Sequence, residues 1–218
     1  MSHLPGSRSA LAPDRAIKPG RHGLSREAVG LIQRGRLIDG FVRQVAEHGY
    51  TNVTISRVTE AAGVTKKAFY LFFPSMEDCF VAALEQGAAV LEEAVRTAFQ
   101  TAPDWRSGIE AGLDALLRTL AAEEPFARLV TVEVAGAGAR VRAVRDEYLE
   151  RFRAVFDEPG YGGETRDHVV DAVVGGVYST LYLQVDSGRT ADLLSLLPSL
   201  LYFVMLPLPD PEKGSSTK

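Results

Sequence analysis

The stretch from Thr54 to Pro74, TISRVTEAAGVTKKAFYLFFP, constrains the fold more than any other part of the chain. Thr54 offers a side-chain oxygen where a helix can begin, and Ile55, Val58 and Ala62 recur at helical spacing, giving that helix one apolar face. Gly63 interrupts the pattern and accepts the left-handed backbone that a sharp turn needs. Val64 is placed to fill the corner. Thr65 is a second N-cap, followed by Lys66, Lys67, Ala68, Phe69, Tyr70 and Leu71, and Pro74 disfavours helical geometry at Phe73. The stretch therefore reads as two short helices around a tight turn. A second helix that opens on two lysines and ends on a tyrosine suits docking into a DNA groove. An ordinary helical hairpin with a solvated lysine pair has the same pattern, because this geometry is not confined to DNA-binding proteins.

Charge favours the first reading only when it is divided along the chain. The formal net charge is −4, yet residues 1–73 carry 11 Lys or Arg against 5 Asp or Glu, and residues 74–218 carry 13 against 23. A basic N-terminal third on an acidic body can present itself to phosphates. The remaining composition, 46% hydrophobic and 24% charged over 218 residues, is that of a soluble globular protein of one domain or two small ones. Cys79 is the single cysteine, which leaves no intrachain disulfide and no cysteine cluster for zinc; a small buried apolar role is expected for it, with redox sensing as the alternative. The N-terminus lacks the apolar core of a signal peptide, so a cytoplasmic location is expected. Leu193 to Leu208 is too short to span a bilayer and is broken by Pro198 and Pro207, so no membrane partner is expected.

Periodicity predicts an all-α chain. Residues 1–23 are rich in Ser, Pro, Gly and Arg, and disorder is expected there; Arg15, Lys18, Arg21 and His22 make this either a basic arm along DNA or a solvated tail. Ser25 opens a first helix whose Ile32, Leu37, Ile38, Phe41, Val42 and Val45 lead up to Gly49, completing a three-helix domain over residues 24–74. Ser75 caps a long fourth helix, with Glu77 and Asp78 in its first turn and an apolar stripe from Phe80 through Phe99 that carries it to about Thr101. A fifth helix is predicted from Asp104, a sixth over 124–134, a seventh from beyond Gly138 to Phe156, and an apolar one over 164–187. A last helix is predicted to be capped by Thr190 and to run to Leu206. Residues 75–207 thus form a second helical domain, and residues 208–218 a disordered tail.

The segment from Gly35 to Leu84 resembles the N-terminal domain of the tetracycline-repressor (TetR) family of one-component transcriptional regulators. The resemblance rests on Gly49-Tyr50, Thr54, the Ala62-Gly63-Val64-Thr65 turn, Phe69-Tyr70 and the Phe73-Pro74-Ser75 exit. It implies an N-terminal helix-turn-helix DNA-binding domain followed by a ligand-binding and dimerisation domain. The recognition face is expected at Lys66, Lys67 and Tyr70, with Thr54, Arg57, Thr65, Phe69 and Ser75 completing the DNA-binding set. Lys67 stands where the family usually has a small residue, and Phe72 and Met76 stand where it often has His and Lys for phosphate contact.

No motif for catalysis is present: there is no phosphate loop, no His-Glu zinc motif and no glycine-flanked serine, so no enzyme, metal or cofactor is expected. Helical bundles host ligands between helices, lined by amphipathic side chains with a few polar anchors. Trp105, Tyr148, Tyr178 and Tyr182 are candidates for such a lining, with Arg128 and Glu133 as anchors for a small-molecule effector; core packing and an Arg–Glu pair are the alternative roles. The apolar content of the last two helices exceeds what one face needs, so Val173, Val177, Leu181, Leu197 and Leu201 are expected at a homodimer interface. The expectation is a homodimeric regulator, a ligand-released repressor on a palindromic double-stranded DNA operator. A helical sequestering protein without specific DNA recognition is the alternative.

Overall fold

The computed structural model describes residues 3–9, 12, 15 and 25–208. Among these no strand occurs, and the all-α expectation holds. Helix α1 spans Arg26–His48, starting where Ser25 Oγ accepts the Ala28 amide at 3.1 Å. Helices α2 (Ile55–Ala62) and α3 (Lys66–Phe72) follow, then α4 (Met76–Thr101), which ends at the residue where its apolar stripe runs out. Helix α5 covers Trp105–Ala122, α6 Glu124–Thr131, α7 Ala139–Phe152, α8 Arg166–Asp186 and α9 Leu197–Met205.

Three helices are shorter than their periodicity predicts, α7 among them: it stops at Phe152 rather than Phe156, and Arg153–Phe156 is a 3₁₀ turn. Helix α6 stops at Thr131, and Glu133–Gly136 continues as a 3₁₀ turn after a run of β-branched residues that crowd a helix. The last helix does not begin at Thr190. Residues Thr190–Leu196 are 3₁₀, Thr190 makes no cap, and its buried hydroxyl has no hydrogen-bond partner. Helix α9 starts only at Leu197 because Pro198, lacking an N–H and fixed in φ, fits a first helical turn.

The chain forms two compact units whose division does not follow chain order. The first holds residues up to Val90 together with Glu123–Arg145, and the second holds Leu91–Ala122 with residues from Asp146 onward. A single boundary at Ser75 is therefore too simple, because the first half of α4, all of α6 and the start of α7 pack with the three N-terminal helices. In the first unit Phe41, Tyr50 and Phe80 meet edge to face at 5.2–6.4 Å. Phe126 of α6 lies so close on Gly87 of α4 that any side chain at 87 would overlap its ring. Phe80 and Phe126 are fully buried, each contributing about 1.5–3 kcal/mol of transfer free energy. Cys79 is fully buried as well, and desolvation pushes its thiol up, in line with an apolar packing role.

The second unit is built on Ile109, Phe156, Tyr161, Val170, Val173 and Val204. Tyr161 lies between the rings of Trp105 (5.5 Å) and Phe156 (5.2 Å) and donates its hydroxyl to the Val204 carbonyl at 2.8 Å. Leu208, expected to open the tail, packs partly against this core; residues 209–218 lie outside the described residues.

The N-terminal segment also departs from expectation. His3–Ser9 is packed on the first unit, with Leu4 only 5% exposed. Arg15 is buried and bonded to Asp39 at 2.5 Å, so it is not a cation held out for phosphate. A polar segment orders here because it supplies partners to a carboxylate on α1, a long-range pairing that composition does not reveal. Lys18, Arg21 and His22 lie outside the described residues.

Candidate functional site

The helix pair at 54–73 is shaped by local hydrogen bonds. Thr54 Oγ1 accepts the Arg57 amide at 3.4 Å and opens α2. Gly63 takes the left-handed backbone (φ 60°, ψ 42°), its amide donating to Glu60 O at 3.0 Å and that of Val64 to Thr59 O at 3.0 Å, which satisfies carbonyls at the end of α2. Thr65 Oγ1 then accepts the Ala68 amide at 3.1 Å and starts α3 two residues after the turn. Phe73 closes α3 in extended backbone ahead of Pro74.

Which face of α3 points outward follows from its anchors. Ala68 and Phe69 are buried, and the Phe69 ring meets those of Phe73 and Tyr70 at 5.6 Å. Lys66, Lys67 and Tyr70 are exposed, Tyr70 by 57%. Positions i, i+1 and i+4 lie on one side of a helix, so two cations and a phenol share one surface. Thr54, Arg57 and Thr65 are exposed around it. Phe69 is the correction to the expected DNA-contacting set: being fully buried, it holds α3 in place and presents no surface. Leu71, 73% exposed beside Tyr70, was not among the expected contacts, since a seven-residue helix is too short for periodicity to separate its faces.

Ser75 sits half-buried at the start of α4, and its hydroxyl is already engaged. It donates to Asp78 Oδ2 at 2.7 Å and accepts the Asp78 amide at 3.2 Å. Arg140, at the start of α7, donates to Asp78 Oδ1 at 2.7 Å. The Ser75 hydroxyl first, and then Arg140, hold the Asp78 carboxyl below its ordinary range.

The six ligand-contact candidates fall in different units. Arg128 and Glu133 belong to the first, where they pair at 3.4 Å while Glu133 Oε2 accepts the Tyr50 amide at 2.8 Å. Glu133 is thus a fastening between the turn after α6 and the end of α1. Trp105, Tyr148, Tyr178 and Tyr182 belong to the second unit. Trp105 is part of its packing and donates its indole N–H to Val155 O at 2.7 Å, while Tyr148 lies beneath the Arg151 guanidinium at 4.4 Å. Tyr178 and Tyr182 are half-buried on α8. Among the described residues no group of three or more His, Cys, Asp or Glu is placed to hold a metal.

The expected dimer-interface residues need a similar correction. Val173 and Leu181 are 3% and 5% exposed within the single chain, and Val177 and Leu201 pack against the core of the second unit. Leu197 is half-buried. The outward stripe of α8 is Gly175, Ser179 and Leu183; Tyr202 on α9 and Leu206 just past its end also face outward. Leu183, Tyr202 and Leu206 are 62%, 70% and 58% exposed. Both sides of α8 are apolar, so composition alone did not distinguish the inward face from the outward one.

Residues 37–83 match the profile of the bacterial regulatory proteins of the tetR family. Over 62 residues the chain is 36% identical to the HTH-type transcriptional repressor AcnR of Corynebacterium glutamicum, covering 28% of this chain and 33% of that protein. It is 33% identical over 64 residues to AcnR of Corynebacterium diphtheriae, covering 29% and 34% respectively. The match therefore spans about a third of these curated relatives. Over most of its length the fold is similar to that of the fatty acid degradation regulator FadR of Bacillus halodurans (TM-score 0.71, 20% identity, 81% of this chain and 96% of that one). It is also similar to FadR of Bacillus subtilis, solved in complex with stearoyl-CoA (TM-score 0.69, 18% identity, 80% and 98%). At these identities the structural likeness concerns the fold alone. The capped helix pair thus lies at the centre of the segment, residues 37–83, that matches the profile of the tetR family of bacterial regulatory proteins.

Proposed function

We propose that this protein is a sequence-specific DNA-binding transcriptional regulator, acting as a homodimer and released from its operator by a small-molecule effector. The observation that carries this reading is the face of α3, where Lys66, Lys67 and Tyr70 are exposed while Ala68 and Phe69 are buried. Two such helices in a two-fold dimer would enter successive major grooves of a palindromic site. The outward stripes of α8 and α9 are the surface on which we base the dimer, since Leu183, Tyr202 and Leu206 are large apolar side chains left in contact with water in the single chain.

The effector would bind the second unit and act on the first. The main chain passes between the units at 90–91, 122–123 and 145–146, and these crossings are the covalent routes from one unit to the other. An effector needs differential affinity for two states to shift the protein off DNA. The apolar core of the second unit favours a ligand with apolar surface, and stearoyl-CoA, held by a relative in fold, is the first compound to try. The helices carry no membrane span: none among the described residues is long and apolar enough.

Gel retardation with DNA from upstream of the protein's own gene, against random DNA, tests the reading. Lys66→Ala and Lys67→Ala are each expected to weaken specific binding by about 1–3 kcal/mol where the side chain reads a base edge. Equal affinity for both DNAs in the wild type, or unchanged affinity in both variants, would refute it and leave an interaction protein as the better account.

A further inference from the structure

We infer that residues 3–9, together with Arg15, form an intramolecular clasp, locked by Arg15 on Asp39, that holds the α6 segment and the middle of α4 against α1. Asp39 lies in the middle of α1 with 1% of its side chain exposed, an uncommon place for a carboxylate. Among the described residues, three groups of the N-terminal segment approach it. The Gly6 amide donates to Oδ1 at 2.7 Å, Arg15 donates to Oδ2 at 2.5 Å, and His3 Nε2 lies 3.8 Å from Oδ2. Without that segment the carboxylate would be either buried unpaired or opened to water. A helix whose neighbours Leu37, Ile38, Phe41 and Val42 are all fully buried has no reason of its own to carry Asp39, so the residue matches the strap.

The strap also reaches the elements around α1. Gly6 O accepts from Arg43 Nε at 2.8 Å, and the Gly6 Cα faces Val42 of α1 and Pro125 of α6. His3 O accepts from Gln86 Nε2 of α4 at 3.5 Å. Pro125 comes three residues after the main chain enters the first unit at 122–123, and Gln86 four residues before it leaves at 90–91. The strap thus braces two of the three crossings through which the second unit can act on the first. Its grip depends on one buried ion pair, whose desolvation nearly offsets its attraction, and on Leu4 in an apolar site. Such a brace is poised to release when either partner is lost.

Hydrogen exchange and thermal melting of the full chain test this without DNA, so failure here leaves the DNA-binding reading untouched. Arg15→Ala is expected to lower Tm by about 6–10 °C, since it strands a buried charge. Exchange is expected to speed up at least about tenfold in residues 124–131 and 84–90, with residues 55–72 unchanged, because local openings report the contacts they break. Adding Asp39→Asn to Arg15→Ala removes the stranded charge and is expected to recover part of both losses. Should Arg15→Ala fail to fold, Arg15→Lys takes its place, with the same pattern at smaller size. Three outcomes would overturn the clasp: unchanged Tm and exchange, acceleration spread evenly over the whole chain, or no recovery in the double variant.

Discussion

Replacing Glu133 with alanine should loosen the attachment of the α6 segment to the N-terminal helices without touching the exposed face of α3. The Glu133 side chain is 12% exposed and accepts the Tyr50 amide at 2.8 Å. A hydrogen bond to a charged acceptor contributes about 1.5–3 kcal/mol, and its loss leaves a half-buried amide unpaired. The pair with Arg128, longer at 3.4 Å and with Arg128 25% exposed, adds at most about 1 kcal/mol after screening. The expected loss is therefore about 2–4 kcal/mol, or roughly 4–16 °C in Tm for a chain of this size. Differential scanning calorimetry on a three-member series separates the contributions. Glu133→Gln keeps an oxygen for the Tyr50 amide and should retain most of the stability, Arg128→Ala should cost about 4 °C or less, and Glu133→Ala should cost most. If Glu133→Ala melts within about 1 °C of wild type, the carboxylate is not a fastening. If Glu133→Gln costs as much as Glu133→Ala, the charge rather than the Tyr50 bond carries the effect, and the reasoning fails.

Leu183→Glu, placed on the outward stripe of α8, should give monomer in sedimentation equilibrium with an unchanged circular dichroism spectrum; a stable variant dimer would remove this face from the interface. Val177→Asp is a poor probe of association because Val177 packs on the core of the second unit, and it should instead lower Tm. Met76 is half-buried at the start of α4, and Met76→Lys should steepen the slope of log affinity against log salt by about 0.9 by adding one phosphate contact; a lower Tm with no gain in affinity would show the position is packing. Burial pushes the Tyr161 hydroxyl from 10.0 up to about 12. Between those values the unfolded chain has lost the proton and the folded chain keeps it, so stability should fall as pH rises through that window. Tyr161→Phe should abolish this alkaline limb while costing about 1 kcal/mol for the lost bond to Val204 O, and an identical limb in the variant would assign it elsewhere.

Local chemistry was legible from the chain alone. Thr54, Gly63, Thr65 and Pro74 act on residues within four positions of themselves, so caps, turn and helix end could be read directly and all are present in the structure. The apolar stripe of α4 likewise predicted its end at Thr101. Where two signals competed, the reading slipped: Thr190 looks like a cap, but Pro198 defers the helix to Leu197.

What only the tertiary structure decided are the pairings between distant residues. Arg15 reaches Asp39 across 24 positions and Glu133 reaches Tyr50 across 83, and neither partner carries a mark of the other in composition or period. The same holds for the faces of α8, whose valines and glycines all read as apolar until packing buries Val173 and Leu181 and leaves Leu183 in water. Phe69 belongs to this class too, because an aromatic beside a tyrosine looks like a contact residue until Phe73 shows which way it turns. Caps and periods are one-dimensional properties of a helix and survive in the sequence. The direction a helix faces is set by what else in the chain needs to be kept from water, and that is known only once the chain has closed on itself.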